Sequence, residues 1–316
     1  MAYNKKIRFY LVIILLAGWA ITLSIGKIFR EQEFYRDNRV LMGTFFEVVS
    51  PDKRAANIVF QEVSRLENLL SKYKEDSQVA RLNYSGKISA SDEVFKIIKL
   101  AKEFSRKTDQ AFDITVGPLV DLWGFTKLDF RVPAGSKIKQ TLKLVGADKI
   151  ILNQNNNVIE FKLSGMKIDL GGIAKGYALD RCVEELKKNN VKSCLINAGG
   201  QVYALGKRSG RYWKVAIRSP LKKRAVDILE LTDQSVSTSG NYEQFFFKGG
   251  KRYCHIIDPR TGYPADKKIV SVTIISDSAT TADILSTAVF VLGKQDAEEI
   301  LKNFPGIKLR IYDELV

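Results

Sequence analysis

The chain has 316 residues, 45% hydrophobic and 27% charged, which excludes a disordered polymer and leaves enough apolar side chain for a sizeable core. Its net charge of +15 raises nucleic acid as a partner, but the Lys and Arg residues are scattered over helix faces such as 95–107 and 186–192 with no aromatic-interleaved stripe. A soluble basic surface with no nucleic-acid role is therefore expected, its field helping to collect an anionic substrate or to hold the domain near acidic lipid heads.

Lys5, Lys6 and Arg8 precede an apolar run over residues 9–25. This has the layout of a signal-anchor helix or a signal peptide, assigned to residues 1–27. No small-x-small cleavage site and no lipid-accepting cysteine follows it, so an uncleaved anchor is expected, with the cleaved signal left open. The expected placement is the cytoplasmic membrane, with the catalytic part on its outer, extracytoplasmic side. Residues 28–39 read as a polar linker and 40–316 as one domain.

Residues 40–50 read as the first strand, ended by Pro51. Apolar residues at Ile58, Val63, Leu66 and Leu70 recur at helical spacing, so a helix over 54–70 follows, then a loop and a short helix. A second amphipathic helix spans 91–107, capped by Ser91 or Asp92. Strand signals flank an Asn-rich turn at 153–157. Residues 167–170 read as a strand, Gly171 and Gly172 as a turn, and 174–188 as a helix. Further strands are expected near 195, over 213–218, 226–231 and 235–238, and as a hairpin of 245–248 with 253–257 about Gly249 and Gly250. A buried strand at 270–275 precedes a helix ending at Gly293. Short strands interspersed with several helices imply an α+β fold.

Cys182, Cys194 and Cys254 show no CxxC or His-paired spacing, which disfavours a thiolate metal site. Buried free thiols are expected, with one disulfide left open.

Three features bear on chemistry. The strand, double glycine and helix start around Gly171 present free backbone N–H groups to an anion, although the stretch is neither GxGxxG nor a Walker loop and reads equally as a plain strand-to-helix turn. Asp283 and Thr287 stand four residues apart on one helix and could meet one small cation, with Ser286 and backbone carbonyls nearby; this oxygen set suits Mg²⁺ rather than zinc. Asp283 reads equally as a helix N-terminal acid. His255, the sole histidine, is the natural general base or phosphate contact, against a purely structural role. The combination points to chemistry on a phosphate or diphosphate.

The blocks MGT at 42–44, SKY at 71–73, AFDITVGPLVDLWGF at 111–125, DLGGIAKGYALD at 169–180, NAGG at 197–200, HIIDPRTGYP at 255–264 and DILSTAVFVLG at 283–293 resemble, in order, the ApbE family of FAD:protein FMN transferases. The resemblance implies a single compact mixed-sheet α+β domain with packed helices, T-fold-like, behind an N-terminal membrane segment. It implies that FMN is moved from FAD onto a threonine or serine of a partner through a phosphoester, releasing AMP. The acceptors it implies are flavin-carrying subunits of Na⁺-translocating NADH:quinone reductase or Rnf-type complexes, or other flavinylated extracytoplasmic proteins. It places Met42, Tyr73, Ala111, Phe112, Asp113, Gly171, Lys175, Tyr177, His255 and Ile257 around the flavin nucleotide, and the Ala174 carbonyl with Asp283, Thr287 and Ser286 around Mg²⁺. An Mg²⁺-dependent FAD pyrophosphatase and a non-catalytic flavin-binding protein are the alternatives.

Overall fold

The computed structural model describes residues 32–218 and 225–313, so the expected signal or anchor over 1–27 lies outside the described residues. Among the described residues no helix is long and apolar enough to cross a membrane. The elements run β1 (Tyr35–Leu41), β2 (Thr44–Ser50), α1 (Ala55–Leu70), α2 (Gln78–Ser85), β3 (Lys87–Ser89), α3 (Asp92–Lys107), α4 (Gly117–Leu122), α5 (Gly135–Leu142), β4 (Ile150–Asn153), β5 (Val158–Phe161) and α6 (Ala174–Lys188). They continue with β6 (Cys194–Ala198), β7 (Gln201–Leu205), β8 (Trp213–Arg218), β9 (Ala225–Leu231), β10 (Gln234–Gly240), β11 (Phe245–Lys248), β12 (Lys251–Cys254), β13 (Ile269–Ser276), α7 (Ala279–Leu292), α8 (Lys294–Leu301) and β14 (Lys308–Asp313).

The expected α+β class holds, and the elements from Tyr35 onward form one compact unit. Its centre is a seven-stranded sheet in the order β1-β2-β6-β7-β10-β13-β14. Every pairing in that sheet is antiparallel, so it is not mixed in strand direction. Helices α1 and α6 cover β2, β6 and β7 through a core of Val59, Phe60, Val63, Leu179, Val183 and Leu186. Helix α7 lies against β10 and β13 and packs along α6. It is buried on nearly all sides, which explains why its sequence is apolar around its whole circumference.

Three expectations about strands are corrected. The stretch read as linker and single strand is a hairpin, with Tyr35 opposite Ser50 and Leu41 opposite Thr44. Met42 and Gly43 turn the chain at φ of 48° and 71°, the left-handed pair that a tight hairpin turn requires. Residues 167–170 belong to no strand or sheet. The side chain of Asn83 stands in for a neighbouring strand, its Oδ1 accepting from the Ile168 N–H at 2.7 Å and its Nδ2 donating to the Ile168 carbonyl at 2.9 Å.

The second hairpin strand also ends earlier than expected, at Cys254, because the chain then turns back on itself. Ile257 bridges Pro264, and the Asp258 N–H donates to the Tyr263 carbonyl at 2.8 Å. The Trp123 indole N–H donates to the Gly262 carbonyl at 2.9 Å, docking this loop on α4. Cys182, Cys194 and Cys254 are buried free thiols, as expected. Burial pushes the Cys194 thiol up to about 12 and that of Cys254 to about 11, so both stay protonated and unreactive.

Candidate functional site

The ends of these elements meet around a cavity of about 290 Å³. It is lined by Tyr73, Ala111, Phe112, Asp113, Gly171, Lys175, His255, Ile257, Asp283 and Thr287, ten of the residues expected from sequence and drawn from five separated stretches.

Helix α7 supplies Asp283 and Thr287. Ser278 caps it, its hydroxyl accepting from the Thr281 N–H at 3.1 Å. Asp180, on α6, adds a second cap by accepting from the Ala279 N–H at 2.7 Å, the Thr280 N–H at 2.9 Å and the Ser278 hydroxyl at 2.8 Å. The Gly176 N–H donates to Asp283 Oδ2 at 3.0 Å. A Cβ on Gly176 would lie 2.4 Å from the Ala279 carbonyl oxygen, so glycine is what lets α6 and α7 approach this closely.

Asp283 Oδ1 keeps only a long 3.5 Å contact from the Ser237 hydroxyl. Ser237 and Ser239, two residues apart on β10, both turn toward α7, where Ser239 Oγ lies 2.8 Å from Ser286 Oγ and 3.4 Å from Thr287 Oγ1. Burial pushes the Asp283 carboxyl up, and the Lys175 charge draws it part of the way back. A buried carboxylate with one under-used oxygen, ringed by hydroxyls, is a hard-oxygen donor set that fits Mg²⁺. Among the described residues no group of three His, Cys, Asp or Glu is gathered, so the remaining ligands of such an ion would be neutral oxygens, water or substrate phosphate.

The glycine turn sits opposite. Asp169 Oδ1 accepts from the Gly171 N–H at 2.8 Å, and Asp169 Oδ2 pairs with the Lys72 ammonium at 2.7 Å. Burial works against the Lys72 charge, but Asp169 outweighs it and the ammonium's pKa is raised. Lys72, paired with Asp169, and Lys175 thus give the cavity two cations, but the free N–H groups expected of the turn are largely spent, Gly171 donating to Asp169 and Ile173 and Ala174 both donating to the Leu170 carbonyl.

His255 Nδ1 lies 3.2 Å from the Gln244 carbonyl. A carbonyl only accepts, so this bond places the proton on Nδ1 and leaves the Nε2 lone pair free to take one. Burial lowers the His255 pKa, and Lys175 lowers it further against the pull of the Gln244 carbonyl.

The remaining expected residues stand outside the lining. Met42 forms the β1–β2 turn, its N–H donating to Glu67 Oε1 at 2.9 Å. Ala174 opens α6 and packs against the main core. Ser286 is fully buried, its hydroxyl donating to the Asp283 carbonyl at 2.9 Å, so it braces Asp283 from behind. Tyr177 donates its hydroxyl to Glu93 Oε1 at 3.0 Å, within the ion pairs that Glu93 makes with Arg65 and Arg181. Asp113 lines the cavity, yet its carboxylate is occupied by the Thr115 N–H and hydroxyl, the Ser105 hydroxyl and the Ala147 N–H.

Sequence reasoning missed Lys72, Asp169, Gln201, Ser237, Ser239 and Glu243, all of which line the cavity. Lys72 and Asp169 lie inside blocks already singled out. The alternation SVSTSG over 235–240, a strand with hydroxyls on both faces, was the available signal for Ser237 and Ser239.

Fold and cleft together define an α+β protein with a hard-oxygen site flanked by two lysines. The profile of the ApbE family matches residues 42–311, and the chain belongs to the ApbE family. It is 37% identical over 270 residues to the FAD:protein FMN transferase of Klebsiella pneumoniae, covering 83% of this chain and 84% of that one. The Escherichia coli K12 protein of the same name is 33% identical over 277 residues, covering 83% and 79%. Among solved structures, the ApbE protein of Thermotoga maritima superposes with a TM-score of 0.83 at 36% identity, covering 89% of this chain and 95% of that one. The apo flavinyl transferase ApbE of Pseudomonas stutzeri superposes with a TM-score of 0.79 at 30% identity, covering 89% and 91%.

Proposed function

We propose that this chain is an Mg²⁺-dependent FAD:protein FMN transferase that moves FMN onto a threonine or serine of an acceptor protein and releases AMP. The observation that carries the reading is the convergence in one cavity of the glycine turn, the Asp283–Thr287 pair and His255. The names of the relatives support the flavin and the transfer.

FAD enters with its diphosphate toward the Gly171 turn and the two cations, Lys72 and Lys175. Asp283, Thr287 and the Ala174 carbonyl would hold Mg²⁺, which neutralises charge on the diphosphate when bound. His255 Nε2 takes the proton from the incoming hydroxyl as its oxygen forms a bond to the FMN phosphorus. The phosphorus–oxygen bond to AMP breaks, and AMP leaves with the bridging oxygen and its electron pair. The Lys175 charge lowers the pKa of both Asp283 and His255, which favours a charged carboxylate and a neutral imidazole before the step.

In the same reading the acceptors are flavin-carrying subunits of membrane redox complexes, of the Na⁺-translocating NADH:quinone reductase or Rnf type. The enzyme works at the outer face of the cytoplasmic membrane, held by its N-terminal segment. The test is incubation of the protein with FAD, Mg²⁺ and such a subunit, followed by a denaturing gel read by flavin fluorescence. Fluorescence retained on the acceptor supports transfer. FMN released free with or without the acceptor would instead mark a pyrophosphatase.

A further inference from the structure

The hairpin of β11 and β12 carries two different faces. Phe246 and Tyr253 are paired across it and stack at 5.2 Å toward Trp123. Phe245, Phe247 and Arg252 alternate to the opposite face, where the Arg252 guanidinium lies 4.9 Å above the Phe245 ring and 5.3 Å above the Phe247 ring. That face and the loop before β13 enclose a second cleft, of about 280 Å³, with Lys251, Arg252, Lys267 and Lys268 in its walls. Asp266, the one acid among the described residues lining it, pairs with Lys251 at 2.9 Å. Arg252 donates to the neutral Asn241 Oδ1 at 3.2 Å. The cleft thus has a surplus of positive charge, and Phe247 is 60% exposed at its edge.

The two ends of this hairpin belong to the catalytic cavity. Gln244 precedes β11, His255 follows β12, both line the cavity, and the His255 N–H donates to the Gln244 carbonyl at 3.0 Å. Cys254 lines the cleft and the next residue, His255, lines the catalytic cavity, so a polypeptide that brings a hydroxyl to His255 has the cleft within reach.

We propose that the basic cleft beside the hairpin seats an acidic stretch of the acceptor polypeptide while its hydroxyl enters the catalytic cavity. This rests on the reading of the chain as a protein-modifying transferase and adds the chemistry of the partner. Carboxylates complement the cleft's charge, and its attachment to the cavity wall favours a segment of the acceptor over a lipid surface, which has no cause to reach His255.

The test uses fluorescent peptides bearing one threonine flanked by aspartates or by asparagines, and phosphatidylglycerol vesicles, each titrated by anisotropy or sedimentation. The protein is compared as wild type, as Lys251→Glu/Lys267→Glu/Lys268→Glu in the cleft, and as Lys96→Glu/Lys99→Glu/Lys107→Glu on the exposed face of α3. Flavin fluorescence quenching reports FAD binding and folding in all three. The aspartate peptide should bind wild type in preference to the asparagine peptide, weaken about tenfold or more in the cleft variant, and keep its affinity in the α3 variant. Equal weakening in both variants, or none in the cleft variant, overturns the proposal, as does loss of vesicle binding alone. If the triple reversal fails to bind FAD as wild type does, Lys267→Gln/Lys268→Gln makes the same comparison with a smaller expected loss. Failure of wild type to bind FAD would instead defeat the transferase reading and leave the peptide comparison to stand separately.

Discussion

The carboxylate of Asp180 accepts from both the backbone N–H of Thr280, at 2.9 Å, and its hydroxyl, at 2.6 Å. One side chain of α6 thereby fixes the first turn of α7, a single turn before Asp283. Asp180 does not line the cavity and acts as a positioning residue. Asp180→Ala strands four donors at a partly buried helix start and should cost about 2 kcal/mol in urea unfolding. Flavin transfer should fall in that variant more than FAD binding does. Asp180→Glu, which keeps the charge, should recover part of the rate.

Gly176 sets the spacing that this cap exploits. An added methyl would meet the Ala279 carbonyl oxygen at 2.4 Å and Asp283 Cβ at 2.8 Å, and both belong to a helix that is held on all sides. Gly176→Ala should therefore destabilise by about 1–3 kcal/mol, despite alanine's better helix propensity. The expected readout is a lower urea midpoint together with lost activity. An unchanged midpoint would mean that α6 and α7 can separate without cost.

Much of this arrangement was legible in the sequence, and the exceptions have physical causes. Helices α1, α3 and α6 have an amphipathic period or a clear cap, and Asp283 with Thr287 needed only the spacing of a helix. Helices α5 and α8 are eight residues long and each buries a single residue, Ile138 and Ala297, too short a run to establish a repeat, and β14 is a half-exposed edge strand. The segment over 167–170 misled because its apolar alternation is genuine while its hydrogen bonds go to the Asn83 side chain and the Ile114 carbonyl, neither of them in a strand. The capping role of Asp180 was invisible for the same reason, since it exists only once α7 lies against α6.

Asp283 separates function from stability. Its carboxylate is buried with one oxygen poorly bonded, and an amide of the same size is cheaper to bury. Asp283→Asn should leave the metal-free protein at least as stable as wild type in thermal unfolding, while lowering flavin transfer by about a hundredfold or more. Added Mg²⁺ should raise the melting temperature of wild type in the presence of FAD and leave that of the variant unmoved. A variant that transfers FMN at the wild-type rate would remove Asp283 from the ligand set.

His255 gives the pH dependence its sign. Burial holds its pKa below the ordinary value of about 6.5, so the folded protein keeps the imidazole neutral to a lower pH than the unfolded chain does. Between those two values the unfolded chain binds more protons, and stability falls as pH falls through that interval. Above about 6.5 neither state is protonated and the contribution is flat. The acid limb of kcat/KM for transfer should accordingly lie below about 6.5, because the base remains available there. His255→Gln should lower the rate, abolish that limb, and reduce the loss of urea stability between pH 7.5 and 5.5 relative to wild type. An acid limb that persists unchanged in the variant would assign the proton to another group in the cavity, and Glu243, whose carboxyl is raised by burial, is the next to test by Glu243→Gln.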